Sequence, residues 1–146
     1  MMDGEFKIER GFMTLDQVAI WSVINPKKSS KGDHIVYTVM GYDRQGKIEI
    51  ERRFSEFEVL RQAFTERWPG LYVPPIPVKK ALGNKNMEFI TERCFLLNLF
   101  IKQAARCPYL LESEEFSIFI RPNYANMKRE ISLLPRLSPE DHLTRI

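Results

Sequence analysis

The sequence predicts an α+β fold, in which a three-stranded antiparallel β-meander packs against a helical layer. Runs rich in β-branched and aromatic residues come first, and segments with helical spacing follow without alternating with them. The proline-rich stretch LYVPPIPVKK, residues 71–80, is predicted to be a polyproline II loop between the first two main helices. The length of 146 residues fits one folded domain with short extensions.

The strands are predicted from residue type and alternation. Residues 17–24 (QVAIWSVI) are typical of a strand, and the polar residues 25–33 that follow indicate a turn. Residues 34–43 form a second predicted strand and residues 47–54 (KIEIERRF) a third. Alternation along the third strand places Arg53 on the polar face, whereas Arg52 falls on the apolar side, where its stem could reach outward.

The helices are predicted from spacing and terminal signals. The first begins at a capping box made by Ser55 and Glu58 and ends at the WPG of residues 68–70. Its apolar face comprises Phe57, Leu60, Phe64 and Trp68. A long helix is predicted over Met87 to Ala105, and a short one within residues 112–120, where the acidic run ESEE forms a negatively charged helix start.

Composition and charge exclude several function classes. The formal net charge of +3 is too small to predict nucleic-acid binding. The two cysteines, Cys94 and Cys107, lack CxxC or metal-ligand spacing and are interpreted as reduced thiols of an intracellular protein. No apolar run is long enough to span a bilayer, and the first residues lack the apolar core of a signal peptide. We therefore expect a cytosolic protein that can meet a membrane only at its surface.

The sequence indicates no enzymatic site. His34 and His142 lie near opposite ends of the chain, and neither has a serine or cysteine motif beside it. The seven glycines are scattered rather than grouped in a phosphate-cradling loop. We therefore predict no catalytic residues, no metal site and no cofactor.

Three basic residues lie at positions that the packing of a hydrophobic core does not explain. Arg53 lies just before the first amides of a helix, where the backbone already favours anions; it could instead pair with Glu49 or Glu51. Arg93 lies inside the apolar arc of the long helix, so either a carboxylate meets it or the arc opens into an anion pocket. Lys79 ends the proline stretch, either as part of a solvated pair on a stiff connector or in a P-x-x-P-x-K ligand for SH3 domains.

These features, in this order, resemble the Phox-homology (PX) domain family, which is found in sorting nexins and oxidase subunits. The matching residues are Arg53-Phe54 at the end of the third strand, VPPIPVK ending at Lys79, and Arg93 in FITERCFLL. The resemblance covers roughly residues 14–122. It leaves residues 1–13 as an N-terminal extension and residues 123–146 as a tail or a linker to a further module, such as a BAR domain.

The resemblance implies a role for each matched residue. Arg53 would bind the 3-phosphate of phosphatidylinositol 3-phosphate, and Phe54 would pack its ring on the inositol. Lys79 would contact the phosphate that joins inositol to glycerol. Arg93 would hold the free 4- and 5-hydroxyls. The residues implied to contact the membrane follow the prolines and are Lys80, Ala81, Leu82 and Lys85.

The resemblance therefore implies a phosphoinositide-binding module that acts in trafficking on the cytosolic face of early endosomes. The low net charge argues against a nucleic-acid partner, and we expect oligomers only through a further module. The alternative is a protein-interaction scaffold with a degenerate lipid pocket, in which the proline loop binds an SH3 domain, a sorting coat or cargo. A phosphate on Ser55 would place negative charge beside the pocket.

Overall fold

The computed structural model describes residues 21–79, 86–121 and 126–136. Its three strands are β1 (Ser22–Lys28), β2 (Ile35–Asp43) and β3 (Gly46–Arg53). The helices within these ranges are α1 (Phe54–Arg67), α2 (Met87–Ala105), α3 (Pro108–Leu111), α4 (Glu114–Phe119) and α5 (Met127–Ser132). The order of strands before helices confirms the predicted α+β class.

The sheet is an antiparallel meander with the order β1-β2-β3. The predicted turn over residues 25–33 was wrong at its start, because β1 continues to Lys28. A bulge separates the pairs formed by Ile24 and Lys27. Asn25 within it has a left-handed φ of 59°, and Pro26 has no N–H to donate. The bulge accommodates both residues, and β1 pairs with β2 again from Lys27 onwards. The predicted start of this strand, residues 17–20, lies outside the described residues.

Helix α1 begins directly where β3 ends, without a loop. Arg53 has extended φ and ψ of −81° and 160° and occupies the N-cap position. A carboxylate oxygen of Glu56 accepts a hydrogen bond of 2.7 Å from the backbone N–H of Arg53. The capping box predicted from Ser55 and Glu58 was therefore wrong, because Ser55 already lies inside the helix. The direct junction fixes the direction of Arg53 relative to the helix amides.

The core lies between the sheet and the helices. The four residues predicted to form the apolar face of α1 are all buried, which confirms that face: Phe57, Leu60, Phe64 and Trp68. Phe57 packs edge-to-face against Phe119 and Phe100, with ring centroids 5.0 and 6.5 Å away. Aromatic pairs in this geometry add to the stabilisation from burial alone. The core thus anchors α1 to both α2 and α4.

Helix α2 has the predicted bounds and packs along β1. The side chain of Asn86 caps it by accepting hydrogen bonds from the amides of Glu88 and Phe89, at 2.8 and 3.3 Å. Cys94 on this helix is buried and Cys107 beyond it is half-buried; both are free thiols.

Helix α5 packs against α1 and α4, and its residues Met127 and Ile131 are buried in the same core. Beyond it, Arg67 of α1 donates a hydrogen bond to the carbonyl of Pro135. The described chain therefore continues to build the core after residue 122, where the resemblance ends.

Gly41→Ala is expected to lower the free energy of unfolding. A Cβ at Gly41 would overlap with the indole ring of Trp21, which is fully buried. Overpacking of this kind costs about 1–3 kcal/mol, and denaturant unfolding would measure it. The control is Gly32→Ala, whose Cβ would lie 3.1 Å from the movable imidazole of His34; we expect a change within about 0.5 kcal/mol. Equal effects of the two substitutions would contradict the packing argument.

Candidate headgroup-binding site

Arg53 is exposed at the end of β3, with no carboxylate within ion-pair distance among the described residues. Glu51 instead pairs with Lys27 at 2.8 Å, and Glu49 with Lys47 at 3.7 Å. The alternative in which Arg53 pairs with one of these glutamates was therefore wrong. The guanidinium of Arg53 remains available to an anion at the start of α1, where the unpaired helix amides also favour negative charge.

Arg52 has a structural role, unlike its neighbour. Its side chain does not reach outward, as the sequence suggested, but is buried. Its Nε donates to the carbonyl of Phe119 at 2.8 Å and its Nη2 to that of Arg121 at 3.0 Å, while Glu56 lies 3.8 Å away. Burial lowers the pKa of Arg52, and the charge of Glu56 opposes that effect. The two adjacent arginines thus differ in role. Arg52 connects β3 to the end of α4, whereas the side chain of Arg53 remains exposed.

Arg93 is buried without a carboxylate partner in the part of the chain that the structure describes. Its guanidinium carbon lies 3.7 Å from the ring centroid of Phe54 and 4.5 Å from that of Phe89. Its Nη2 donates to the carbonyl of Val78 at 3.5 Å, and its buried Nε has no hydrogen-bond partner. Contacts with aromatic faces stabilise a desolvated cation in part. The described residues therefore provide no carboxylate for the salt-bridge alternative. The Nε–H of Arg93 makes no hydrogen bond within them.

The charge of Arg93 extends into the core. Tyr37 on β2 is buried, and burial raises the pKa of its hydroxyl, while the positive charge of Arg93 acts in the opposite direction. Arg93 thus lies between the hydrophobic interior and the basic surface at the start of α1.

Phe54 is the first residue of α1 and is 8% exposed. Its ring belongs to the hydrophobic core. The guanidinium of Arg93 lies against its ring. Phe54 therefore links two of the predicted site residues, since it adjoins Arg53 in sequence and contacts Arg93 in space.

Lys79 is exposed and follows Val78, whose carbonyl accepts the hydrogen bond from Arg93. The structure thus brings Phe54 and Arg93 into contact. Lys79 is linked to this pair because it directly follows Val78, whose carbonyl accepts the hydrogen bond from Arg93. Within the described residues no carboxylate pairs with Arg53, Lys79 or Arg93, so the three cations remain unneutralised. The four predicted membrane-contact residues lie outside the described residues: Lys80, Ala81, Leu82 and Lys85.

Two exposed apolar residues were not singled out by the sequence analysis. Val78 is 85% exposed and Met87 is 69% exposed, and they flank residues 80–85. Phe89, four residues before Arg93, lies on the same helix face, as the helical spacing of the sequence predicts.

Residues 21–79, 86–121 and 126–136 contain neither a metal-ligand cluster nor a membrane-spanning helix. No group of three or more His, Cys, Asp and Glu side chains there has the arrangement needed to hold a metal ion. Helices that combine enough length with enough apolar character to cross a bilayer are absent from the same ranges.

Comparison with known proteins identifies similar sequences. The family model of the PX domain matches residues 41–123. Sorting nexin-41 of Yarrowia lipolytica is 30% identical over 127 residues, which cover 78% of this chain and 21% of that protein. Sorting nexin 1 of Arabidopsis thaliana is 33% identical over 118 residues, which cover 74% of this chain and 29% of that protein. The chain thus spans less than a third of the length of either relative.

The fold also matches a solved structure. The X-ray structure of a designed CISK-PX domain superposes with a TM-score of 0.62 at 24% sequence identity. The match covers 68% of this chain and 96% of that domain, which supports the fold alone. Together with the family model, which matches more than half of the residues, these findings show that the chain belongs to the PX domain family.

Proposed function

We propose that this protein binds phosphatidylinositol 3-phosphate and is thereby recruited to the cytosolic face of early endosomal membranes. The observation that carries the proposal is the contact of Arg93 with the ring of Phe54, next in sequence to the exposed Arg53 at the start of α1, with no carboxylate paired to either arginine among the described residues. Membership of the PX family, together with similarity to sorting nexins, supports phosphoinositide binding in membrane trafficking.

Each cation suits a different part of the headgroup. A phosphomonoester carries a charge of roughly −1.5 to −2 near neutral pH. Arg53 offers a planar fork that can bind two phosphate oxygens, and the α1 amides reinforce its field. Lys79 provides a point charge for the phosphate that links inositol to glycerol. Arg93 would use guanidinium N–H donors that carry no carboxylate among the described residues to hold the oxygens of the free hydroxyls.

Phe54 would form the apolar floor of the site. Its ring is mostly covered, and the guanidinium of Arg93 lies against it. For the inositol to pack on this ring, the headgroup must share it with Arg93. The ring and the guanidinium would then contact the same ligand, one through its face and the other through its donors.

The first test is binding to liposomes that each contain one phosphoinositide, at fixed salt concentration. We expect preference for the 3-phosphate lipid over lipids phosphorylated at other positions. Equal binding to all anionic liposomes, or no binding, would reject the proposal. Fixed salt matters because general attraction between lysines and anionic lipids falls as salt screens it.

Val78 and Met87 are expected to insert into the bilayer beside the headgroup. Replacing both by serine should weaken liposome binding roughly tenfold, because at least about 1.5 kcal/mol of apolar burial is lost. Binding of the soluble headgroup, inositol 1,3-bisphosphate, should not change. The control is Leu133→Ser, which removes an apolar side chain that is 65% exposed on the segment after α5. Equal loss in the control would assign the effect to general surface hydrophobicity.

The alternative use of the proline stretch as an SH3 ligand is less well supported. Pro74 is buried, and its carbonyl accepts a hydrogen bond of 2.9 Å from Nε of Arg61. An SH3 groove needs access to the prolines of its ligand, so the stretch would have to detach from α1 first. Binding to a sorting coat or cargo through another surface would remain compatible with lipid binding.

The similar sorting nexins are much longer than this chain. A further module after the PX domain would supply avidity, since a second membrane contact on the same molecule acts at high effective concentration. We therefore propose that oligomerisation and strong membrane binding, where they occur, depend on such a module.

A further inference from the structure

Phe89 lies in the first turn of α2, one helical turn before Arg93, and neither the sequence analysis nor the family resemblance gives it a role. Its backbone N–H is fixed by the Asn86 cap at 3.3 Å. Its ring centroid lies 4.5 Å from the guanidinium carbon of Arg93, which also lies 3.7 Å from the ring of Phe54. One guanidinium therefore contacts two aromatic rings, one from its own helix and one from α1.

These contacts restrict a side chain that is normally mobile. Arginine has several rotatable bonds and, when unrestrained, can follow an anion into many positions. Here the two rings hold the guanidinium by cation–π attraction, and the carbonyl of Val78 accepts from one end at 3.5 Å. The Nε remains buried and unpartnered among the described residues. These contacts thus hold the guanidinium of Arg93 at a fixed position against Phe54 and Phe89.

We propose that Phe89 is a positioning residue that determines, through Arg93, which phosphoinositides the site accepts. This inference rests on the proposed function. A guanidinium that cannot retreat offers its donors to the neutral 4- and 5-hydroxyls but cannot make room for a larger phosphate at those positions. Releasing it would let it move outward and pair with a 4- or 5-phosphate, which arginine binds strongly.

The test compares Phe89→Leu with Phe89→Tyr. Leucine keeps an apolar side chain of similar length but removes the aromatic face, whereas tyrosine keeps the face. Kd would be measured with liposomes that contain phosphatidylinositol 3-phosphate, 3,4-bisphosphate or 3,5-bisphosphate. For the wild type and Phe89→Tyr we expect equal selectivity for the monophosphate, and for Phe89→Leu at least a fivefold loss of that selectivity. A loss of stability alone would weaken binding to all three lipids alike, and an unchanged ratio in Phe89→Leu would overturn the proposal.

The matched control is Phe95→Leu, the same substitution on the same helix. Phe95 is 59% exposed and makes no cation–π contact with Arg93 among the described residues. We expect its selectivity to equal that of the wild type. A loss equal to that of Phe89→Leu would overturn the specific role of Phe89.

A measurement without lipid separates this inference from the proposed function. The Nε–H resonance of Arg93 should be resolved by NMR in the wild type and in Phe89→Tyr, because its burial slows exchange with water, and should broaden in Phe89→Leu. An unchanged resonance in Phe89→Leu would overturn the positioning role whatever the lipid data show. A wild type that lacks lipid preference but shows the expected NMR pattern would reject the proposed function while supporting the positioning of Arg93.

Discussion

Arg53→Gln is expected to abolish binding to liposomes that contain phosphatidylinositol 3-phosphate. Removing one partner of a desolvated charge pair costs about 2–5 kcal/mol, which corresponds to roughly 30-fold to several thousand-fold in Kd. The free energy of unfolding should change by no more than about 0.5 kcal/mol, because the exposed Arg53 side chain has no ion-pair partner among the described residues. Liposome flotation and denaturant unfolding of the same preparation would measure both quantities.

Lys47→Gln is the matched control for this loss. Lys47 lies on the same exposed face of β3 and carries the same charge. It is six residues from Arg53, or about 20 Å along an extended strand. If Lys47→Gln weakened binding as much as Arg53→Gln, binding would depend on total surface charge. The specific assignment of the phosphate to Arg53 would then be wrong.

Glu115→Ala is expected to produce the largest loss of stability, about 3–5 kcal/mol. Glu115 is fully buried in α4, and its carboxylate accepts from Nε of Arg67 at 2.9 Å and from Nε1 of Trp68 at 3.0 Å. Without it, two donors at the end of α1 lose a buried acceptor, and one of them is charged. Because Glu115 lies outside the proposed site, lipid affinity of the folded fraction should be unchanged. Denaturant unfolding would measure the loss.

Glu114→Ala tests whether burial causes this effect. Glu114 also pairs with Arg67, at 3.0 Å, but its side chain is 63% exposed. Exposed ion pairs contribute about 0–1 kcal/mol, since water screens them. A loss for Glu114→Ala as large as that for Glu115→Ala would show that the charge, rather than burial, sets the cost.

Local patterns predicted most of the secondary structure. The bounds of α2 agree because its apolar arc repeats with helical spacing over many residues. The start of α1 was predicted wrongly because the S-x-x-E signal of Ser55 and Glu58 competes with a strand that runs directly into the helix. The actual cap uses Glu56 and the backbone of Arg53, and its N-cap residue is not of a preferred type.

Part of the candidate site was also predictable from local sequence patterns. Arg53 is marked by strand alternation and Arg93 by its place in an apolar arc, and both signals are local. The roles of Arg52 and Arg67 were not predictable from such signals. Arg52 donates to the carbonyl of Phe119, 67 residues later, and Arg67 pairs with Glu115, 48 residues later. A local pattern carries no information about which distant group will form an ion pair with a buried cation or accept a hydrogen bond from it.

The bulge in β1 bears on how copies of this protein behave when they are crowded together. β1 lies at one end of the sheet order, so its outer backbone edge has no partner strand within the described sheet. A regular edge would be a template for a strand of another molecule, which is a route to aggregation. Asn25 turns the backbone to a positive φ, and Pro26 withholds a donor. This irregularity, together with Asn98 of α2, whose Oδ1 accepts a hydrogen bond from the backbone N–H of Val23 at 2.9 Å, protects that edge against intermolecular strand addition at the high local concentrations that recruitment to a small membrane area would create.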